Sequence, residues 1–271
     1  MKKYLSIFNF QTVVIIGLSL LSSYICIRYQ LSVYVDFLIL NFIIIFPLTF
    51  SLSMAFRRRE RALQYLSLFK ASLQSVFYSL EASKLDKEKK NEFRHMAENI
   101  SAILLKHLTG RSIDAGEVQG ASHSIFNFMQ ANREGLKRTL IVKVSLFLFR
   151  MNESIEFLLA THRHRTPWGP RVIVLFAIYI FVIFYPAALL HDAGAGSTFW
   201  YLSAMTASKG LILISFFNVQ HLLENPFDQT GPDDIRLDDF KFLAGISMAE
   251  ALTTAVEITH EDQDAEILNE E

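Results

Sequence analysis

Four stretches of this chain are apolar for longer than most soluble core helices. Leu5 to Ile27, Phe37 to Phe56 and Val172 to Leu190 contain no charged residue, and Ala193 to Gln220 contains only Lys209. A hydrocarbon core takes roughly 20 apolar residues at helical rise, so each stretch is long enough to cross one. With 51% hydrophobic residues, 24 Phe and only 11 Gly and 6 Pro, the chain also lacks the turn residues of an all-β protein. The expected fold class is an all-α membrane protein of four transmembrane helices with a helical cytosolic domain. Lys2 and Lys3 before the first stretch resemble the start of a signal peptide, but the apolar run is long and no small-x-small site ends it. A retained span is expected.

Basic residues flank cytoplasmic ends of spans, which sets the expected orientation. Lys2 and Lys3 precede span one, Arg57, Arg58, Arg59 and Arg61 follow span two, and Arg163, Arg165 and Arg171 precede span three. Both termini are therefore expected in the cytoplasm, with short external connections at Arg28 to Asp36 and His191 to Ser197. The expected domains are a first span pair (1–56), a cytosolic helical domain (57–170), a second span pair (171–220) and a cytosolic loop, helix and acidic tail (221–271). Leu63, Leu66, Phe69 and Leu73 recur at helical spacing, as do Leu146, Phe149, Ile155 and Leu158. Gly110, Gly116 and Gly120 predict a loop over Thr109 to Ser122. No Gly or Pro follows Arg57 for some fifty residues, so the second span is expected to continue unbroken into the cytosolic block.

That second span carries the first constellation of interest. Pro47 frees a carbonyl in an apolar helix, and irregular backbone of that kind is tolerated in a membrane mainly where it is buried in protein or lines a cavity. Leu48, Leu52 and Phe56 form one i, i+4, i+8 stripe; Phe46, Phe50 and Met54 form another on an adjoining face. Thr49, Ser51 and Ser53 supply small polar groups between them. Periodicity alone fits a helix-packing face, and it also fits a pore stripe that gates by dewetting.

The remaining charged groups divide into flanks and candidates. His162 and His164 are two apart, about 200° around a helix, which suits a basic flank (with Arg163 and Arg165) better than shared metal ligation. Lys209, ionisable within a span, either attracts anions or pairs with Asp192 or a lipid headgroup. The acidic loop Asp228 to Asp239 has oxygen ligands suited to a hard cation such as calcium, but not the spacing of an EF-hand; Asp238 and Asp239 could equally charge-balance the helix expected at Phe240. Net charge is −1, which gives no footprint for nucleic acid. The single cysteine, Cys26, excludes an intrachain disulfide framework and is expected as a packing or lipid-facing residue. No Gly-x-Ser-x-Gly, His-Glu-x-x-His or glycine-rich phosphate loop is present, which weighs against an enzyme.

Glu224-Asn225-Pro226-Phe227, followed by Asp234-Ile235-Arg236-Leu237-Asp238, resembles the post-membrane signature of the bestrophin family. Phe56-Arg57, Thr166-Pro167, Tyr179-Ile180-Phe181 and Pro186-Ala187-Ala188-Leu189 resemble other family segments in the same order. The resemblance implies a homopentameric ion channel with one axial pore and a hydrophobic neck on the second helix. Matched on Phe56-Arg57, the neck is Leu48, Leu52 and Phe56; matched on Pro47, it is Phe46, Phe50 and Met54. The first match is anchored on two adjacent residues and is the preferred expectation. A second, cytosolic constriction falls near Ile141, and a calcium clasp maps onto Asn225, Asp233 and Asp234. The family's tryptophan-rich stretch after the neck is replaced here by Gln64-Tyr65-Leu66.

The functional expectation is a channel for chloride or other small anions, with Arg57, Arg58, Arg59 and Arg61 raising local anion concentration and membrane lipid, inorganic ions and further copies of the chain as partners. The alternative is a non-conducting protein whose spans anchor a helical docking or sensor module.

Overall fold

The structure is a computed structural model that describes residues 9–34, 36–110, 113–164, 168–194, 198–229, 231 and 233–243; the side chains of 37–40, 168 and 170 are not described. Lys2, Lys3, Arg165, Thr166, Pro167 and the acidic tail from His260 therefore lie outside the described residues. Among the described residues there are seven α-helices and no strand: α1 (Phe10–Tyr29), α2 (Phe37–Glu81), α3 (Lys87–Leu108), α4 (Ala115–Ala131), α5 (Arg138–Arg163), α6 (Trp168–Ala193) and α7 (Phe199–Leu223). Two short 3-10 turns, Arg133–Gly135 and Leu237–Phe240, complete the order.

The described residues fall into two compact units, one up to Tyr65 with Phe157–Arg236, the other Leu66–Glu156 with Leu237 onward. In the first, α1, α6 and α7 pack against one another. Their apolar core holds Ile15, Ile178, Phe181, Val182, Ile214 and Phe217, and α2 adds Ile44 and Leu48 to it. α1 starts where the Asn9 side chain accepts from the Gln11 N–H at 3.1 Å, and ends at Gln30, whose φ of 49° breaks the helical run. Close approach depends on small residues, since a Cβ on Gly210 of α7 would lie 2.9 Å from Ile15 Cγ2 and 3.2 Å from Val182 Cγ2. Asn218 Nδ2, buried in α7, donates to Thr12 Oγ1 at 3.3 Å, while Asn9 Nδ2 donates to Asn218 Oδ1 at 3.1 Å. Those bonds spare the buried Asn218 amide from being orphaned. Cys26 is buried, a packing residue.

Three described helices are long and apolar enough to cross a membrane: Phe10–Tyr29, Arg171–Ala193 and Phe199–Leu223. The fourth expected span, the apolar half of α2, includes residues 37–40, whose side chains are not described, and it is not among these three. α2 itself is one helix of 45 residues with Pro47 inside it, as the absence of breakers after Arg57 implies.

In the second unit α3 packs on α4, with Phe93, Ile100, Leu104, Val118 and Ile125 buried between helices. The loop expected over Thr109 to Ser122 is mostly helix, since α4 begins at Ala115. Only Gly110, with φ of 73°, serves as a turn glycine; Gly116 and Gly120 lie on the exposed side of α4, while Val118, Ile125 and Phe128 supply its buried stripe. The α5 pattern is likewise corrected: Ile155 and Leu158 are buried, whereas Leu146 and Phe149 are exposed. Residues 237–243 are anchored within this unit by Phe242 N–H donating to Ser101 Oγ at 2.8 Å and by Lys70 Nζ donating to the Asp239 carbonyl at 2.7 Å.

Candidate functional site

The apolar first half of α2 presents two different faces. Leu48 is only 4% exposed and packs with Ile15, Ile178 and Phe217, so it belongs to the core and has no surface to give to a passage. Of the first stripe, Leu48, Leu52 and Phe56, the half-buried Leu52 and the exposed Phe56 reach the surface. The adjoining stripe is open along its length, with Phe46 and Phe50 each 62% exposed and Met54 44% exposed. Phe42 continues it, its ring stacked on Phe46 at 5.7 Å. At about 100° per residue, steps of four, four, three and four carry the same stripe from Phe46 through Phe50 and Met54 to Arg57 and Arg61. One helix face thus changes from aromatic to cationic along its length.

The four arginines divide by environment. Arg58 donates to the Thr161 carbonyl, and Arg59 Nε donates to the Asp233 carbonyl at 2.6 Å, so both hold neighbouring backbone in place. Arg57 and Arg61 are exposed and line a groove of about 610 Å³ between α2 and the last two turns of α5. Phe50, Ser53 and Met54 form its α2 wall, and His164 and Thr161 face them from α5. Thr49 and Ser53 are exposed, and Ser51 is buried.

Lys209 lies with Nζ 4.5 Å from the centroid of the Tyr185 ring, a cation–π arrangement within the bundle, while Asp192 sits 3.6 Å from His191 Nδ1. His162 faces the buried Phe227 ring at 6.4 Å. Ile141, half-buried at the start of α5, lines a separate cleft of about 660 Å³ with Phe126 and Phe149.

The loop after α7 is closed by its own bonds. Asp234 Oδ2 accepts from the Gly231 N–H at 2.7 Å, Ile235 N–H donates to the Pro226 carbonyl at 3.0 Å, and Gln229 Nε2 donates to the Ile235 carbonyl at 2.6 Å. Asn225 Nδ2 turns to Asp228 Oδ2 at 3.0 Å. Of the residues expected to hold calcium, the Asn225 amide and the Asp234 carboxylate are engaged within the loop itself, and among the described residues no three His, Cys, Asp or Glu side chains gather.

One polar cluster escaped the sequence reading. Glu224, the first residue of the signature, is buried and accepts from Arg171 Nη1 and from Gln220 Nε2, each at 3.3 Å. Arg171 counts as a flanking charge in the sequence, and only the conjunction of a basic residue before one apolar run with an acidic residue after the next hints at the pair.

These elements define an all-helical membrane-protein fold. No family model matches the sequence, and no curated protein sequence does. Solved structures do match in three dimensions. A crystal structure described as a membrane protein superposes with a TM-score of 0.73 at 16% identity, over 86% of this chain and 95% of its own. A single-substitution variant of a bacterial bestrophin homologue from Klebsiella pneumoniae gives 0.73 at 16% identity over 85% of this chain and 92% of its own. A second variant from that organism gives 0.72 at 16% identity, over 85% and 96%. The chain has a bestrophin-like fold.

Proposed function

We propose that the chain forms a homopentameric ion channel in which five copies of α2 surround an axial passage, crossing the bilayer with α1, α6 and α7 as the other three spans and both termini in the cytoplasm. The observation that carries this reading is the continuous exposed stripe Phe46, Phe50, Met54, Arg57 and Arg61 on a helix whose opposite face, at Ile44 and Leu48, is buried. A ring of such side chains makes a constriction that excludes water when narrow, and hydration then decides conduction. The neck in this reading is Phe46, Phe50 and Met54, with Phe56 and Leu52 beside it, and Ile141 is the second constriction.

Small anions such as chloride are the proposed cargo. A hydrophobic neck sets no sign of charge, but the exposed guanidinium groups of Arg57 and Arg61 raise the local anion concentration, and the hydroxyls of Thr49 and Ser53 lower the cost of partial dehydration. Mass measurement of the detergent-solubilised protein followed by reversal potentials in planar bilayers tests both parts. A pentamer whose reversal potential follows the chloride gradient is expected. A monomer or dimer without current refutes the channel and leaves an anchored docking module, and a shift toward the cation's equilibrium potential refutes anion preference.

A further inference from the structure

We propose that the groove between α2 and the end of α5 is a binding site for a single-chain amphiphilic anion, with its head on Arg57 and Arg61 and its chain along Phe50 and Met54, and that the bound chain occludes the passage. Occlusion rests on the neck reading above; binding does not.

The orientation of the two walls follows from two contacts. Tyr65 stacks on Phe157 with centroids 3.8 Å apart, and Arg58, two turns before Tyr65, donates to the carbonyl of Thr161, one turn after Phe157. α5 therefore runs antiparallel to α2 along the groove. His164 lies toward the Met54 end and Phe157 toward the Arg61 end, so Arg57 and Arg61 line one end of the groove on α2. Beyond them α2 offers only Ser53, Met54 and Phe50.

This arrangement selects by chemistry. Arg58 and Arg59 are directed to backbone carbonyls, whereas the exposed forks of Arg57 and Arg61 can meet a phosphate or carboxylate bidentately. An inorganic anion satisfies those forks but leaves Phe50 and Met54, 62% and 44% exposed, uncovered. An uncharged chain covers the apolar wall but leaves the guanidinium groups facing it. Only a molecule carrying both features satisfies the whole groove, and about 610 Å³ falls within the range of about 300–1,000 Å³ typical of small-molecule sites. Because Phe50 and Met54 also form the proposed neck, a chain lying on them narrows it.

Dodecyl phosphate is a suitable probe, added below its micellar concentration to the full chain purified in an uncharged maltoside detergent. It should raise the thermal unfolding midpoint and, in proteoliposomes, reduce chloride flux. Inorganic phosphate at the same concentration should do neither. Lengthening the alkyl chain by two methylenes should tighten binding about tenfold, and the double variant Arg57→Gln/Arg61→Gln should weaken it at least as much. Arg133→Gln, on the other unit, should leave it unchanged. An equal effect from inorganic phosphate, affinity independent of chain length, or full binding by the double variant each overturns the site. Tight binding with undiminished flux overturns occlusion alone, and binding by a protein that never conducts overturns the channel while the site stands.

Discussion

Arg171 Nη1 and Glu224 Oε2 meet at 3.3 Å, joining the start of α6 to the residue that follows α7. The Glu224 side chain is only 9% exposed, the guanidinium carbon of Arg171 lies 5.6 Å from the Phe217 ring centroid, and His221 Nδ1 stands 3.8 Å from the same carboxylate oxygen. A carboxylate so enclosed is tolerated because charged and polar donors surround it.

Removing the strongest donor should therefore be costly. Arg171→Ala is expected to destabilise the protein by about 1.5–3 kcal/mol, the range for a lost hydrogen bond to a charged group. Arg171→Lys should recover part of it, since an ammonium keeps the charge but not the fork. Thermal unfolding in detergent measures both; a midpoint unchanged in Arg171→Ala would show that Gln220 and His221 suffice.

Leu48 and Phe50 should separate cleanly, although two residues apart. Leu48→Ala empties a core position and is expected to cost about 2–5 kcal/mol, with no direct effect on single-channel current. Phe50→Ala and Met54→Ala remove exposed side chains, should leave the unfolding midpoint nearly unchanged, and should raise open probability. Equal currents for wild type and Phe50→Ala would remove this stripe from the neck.

Among the arginines, Arg57→Gln should weaken anion preference in reversal-potential measurements with little loss of stability. Arg59→Gln loses the 2.6 Å bond to the Asp233 carbonyl and should instead loosen the loop after α7, read as faster hydrogen exchange there. If both variants alter selectivity alike, the division between exposed and anchoring arginines is wrong.

Gly210→Ala places a methyl 2.9 Å from Ile15 Cγ2 and 3.2 Å from Val182 Cγ2, and helix separation should cost about 1–3 kcal/mol. Combining it with Ile15→Ala, which vacates the nearer clash, should give a smaller loss than the sum of the two single changes. Additive losses in a double-mutant cycle would mean that the two sites do not touch.

The sequence was sufficient for everything that depends on the run length of apolar residues or on the absence of breakers: a helical fold, helices long enough for a bilayer, and the unbroken passage of α2 through Arg57 to Glu81. It also carried the Glu224 to Phe227 signature and, through it, the kinship of fold. It misjudged Gly116 and Gly120, because a glycine on an exposed helix face has the same letter as one in a turn. Nor could it choose between Leu48 and Phe50. Both stripes repeat every four residues and are equally apolar, so periodicity gives each the same weight; only the placement of α1, α6 and α7 against one side of α2 buries Leu48 and leaves Phe50 outside. The same holds for the arginines, where carbonyls of Thr161 and Asp233, 103 and 174 residues away, claim Arg58 and Arg59 and leave Arg57 and Arg61 to solvent. Local sequence sets which elements form, and long-range packing sets which of their faces is available for function.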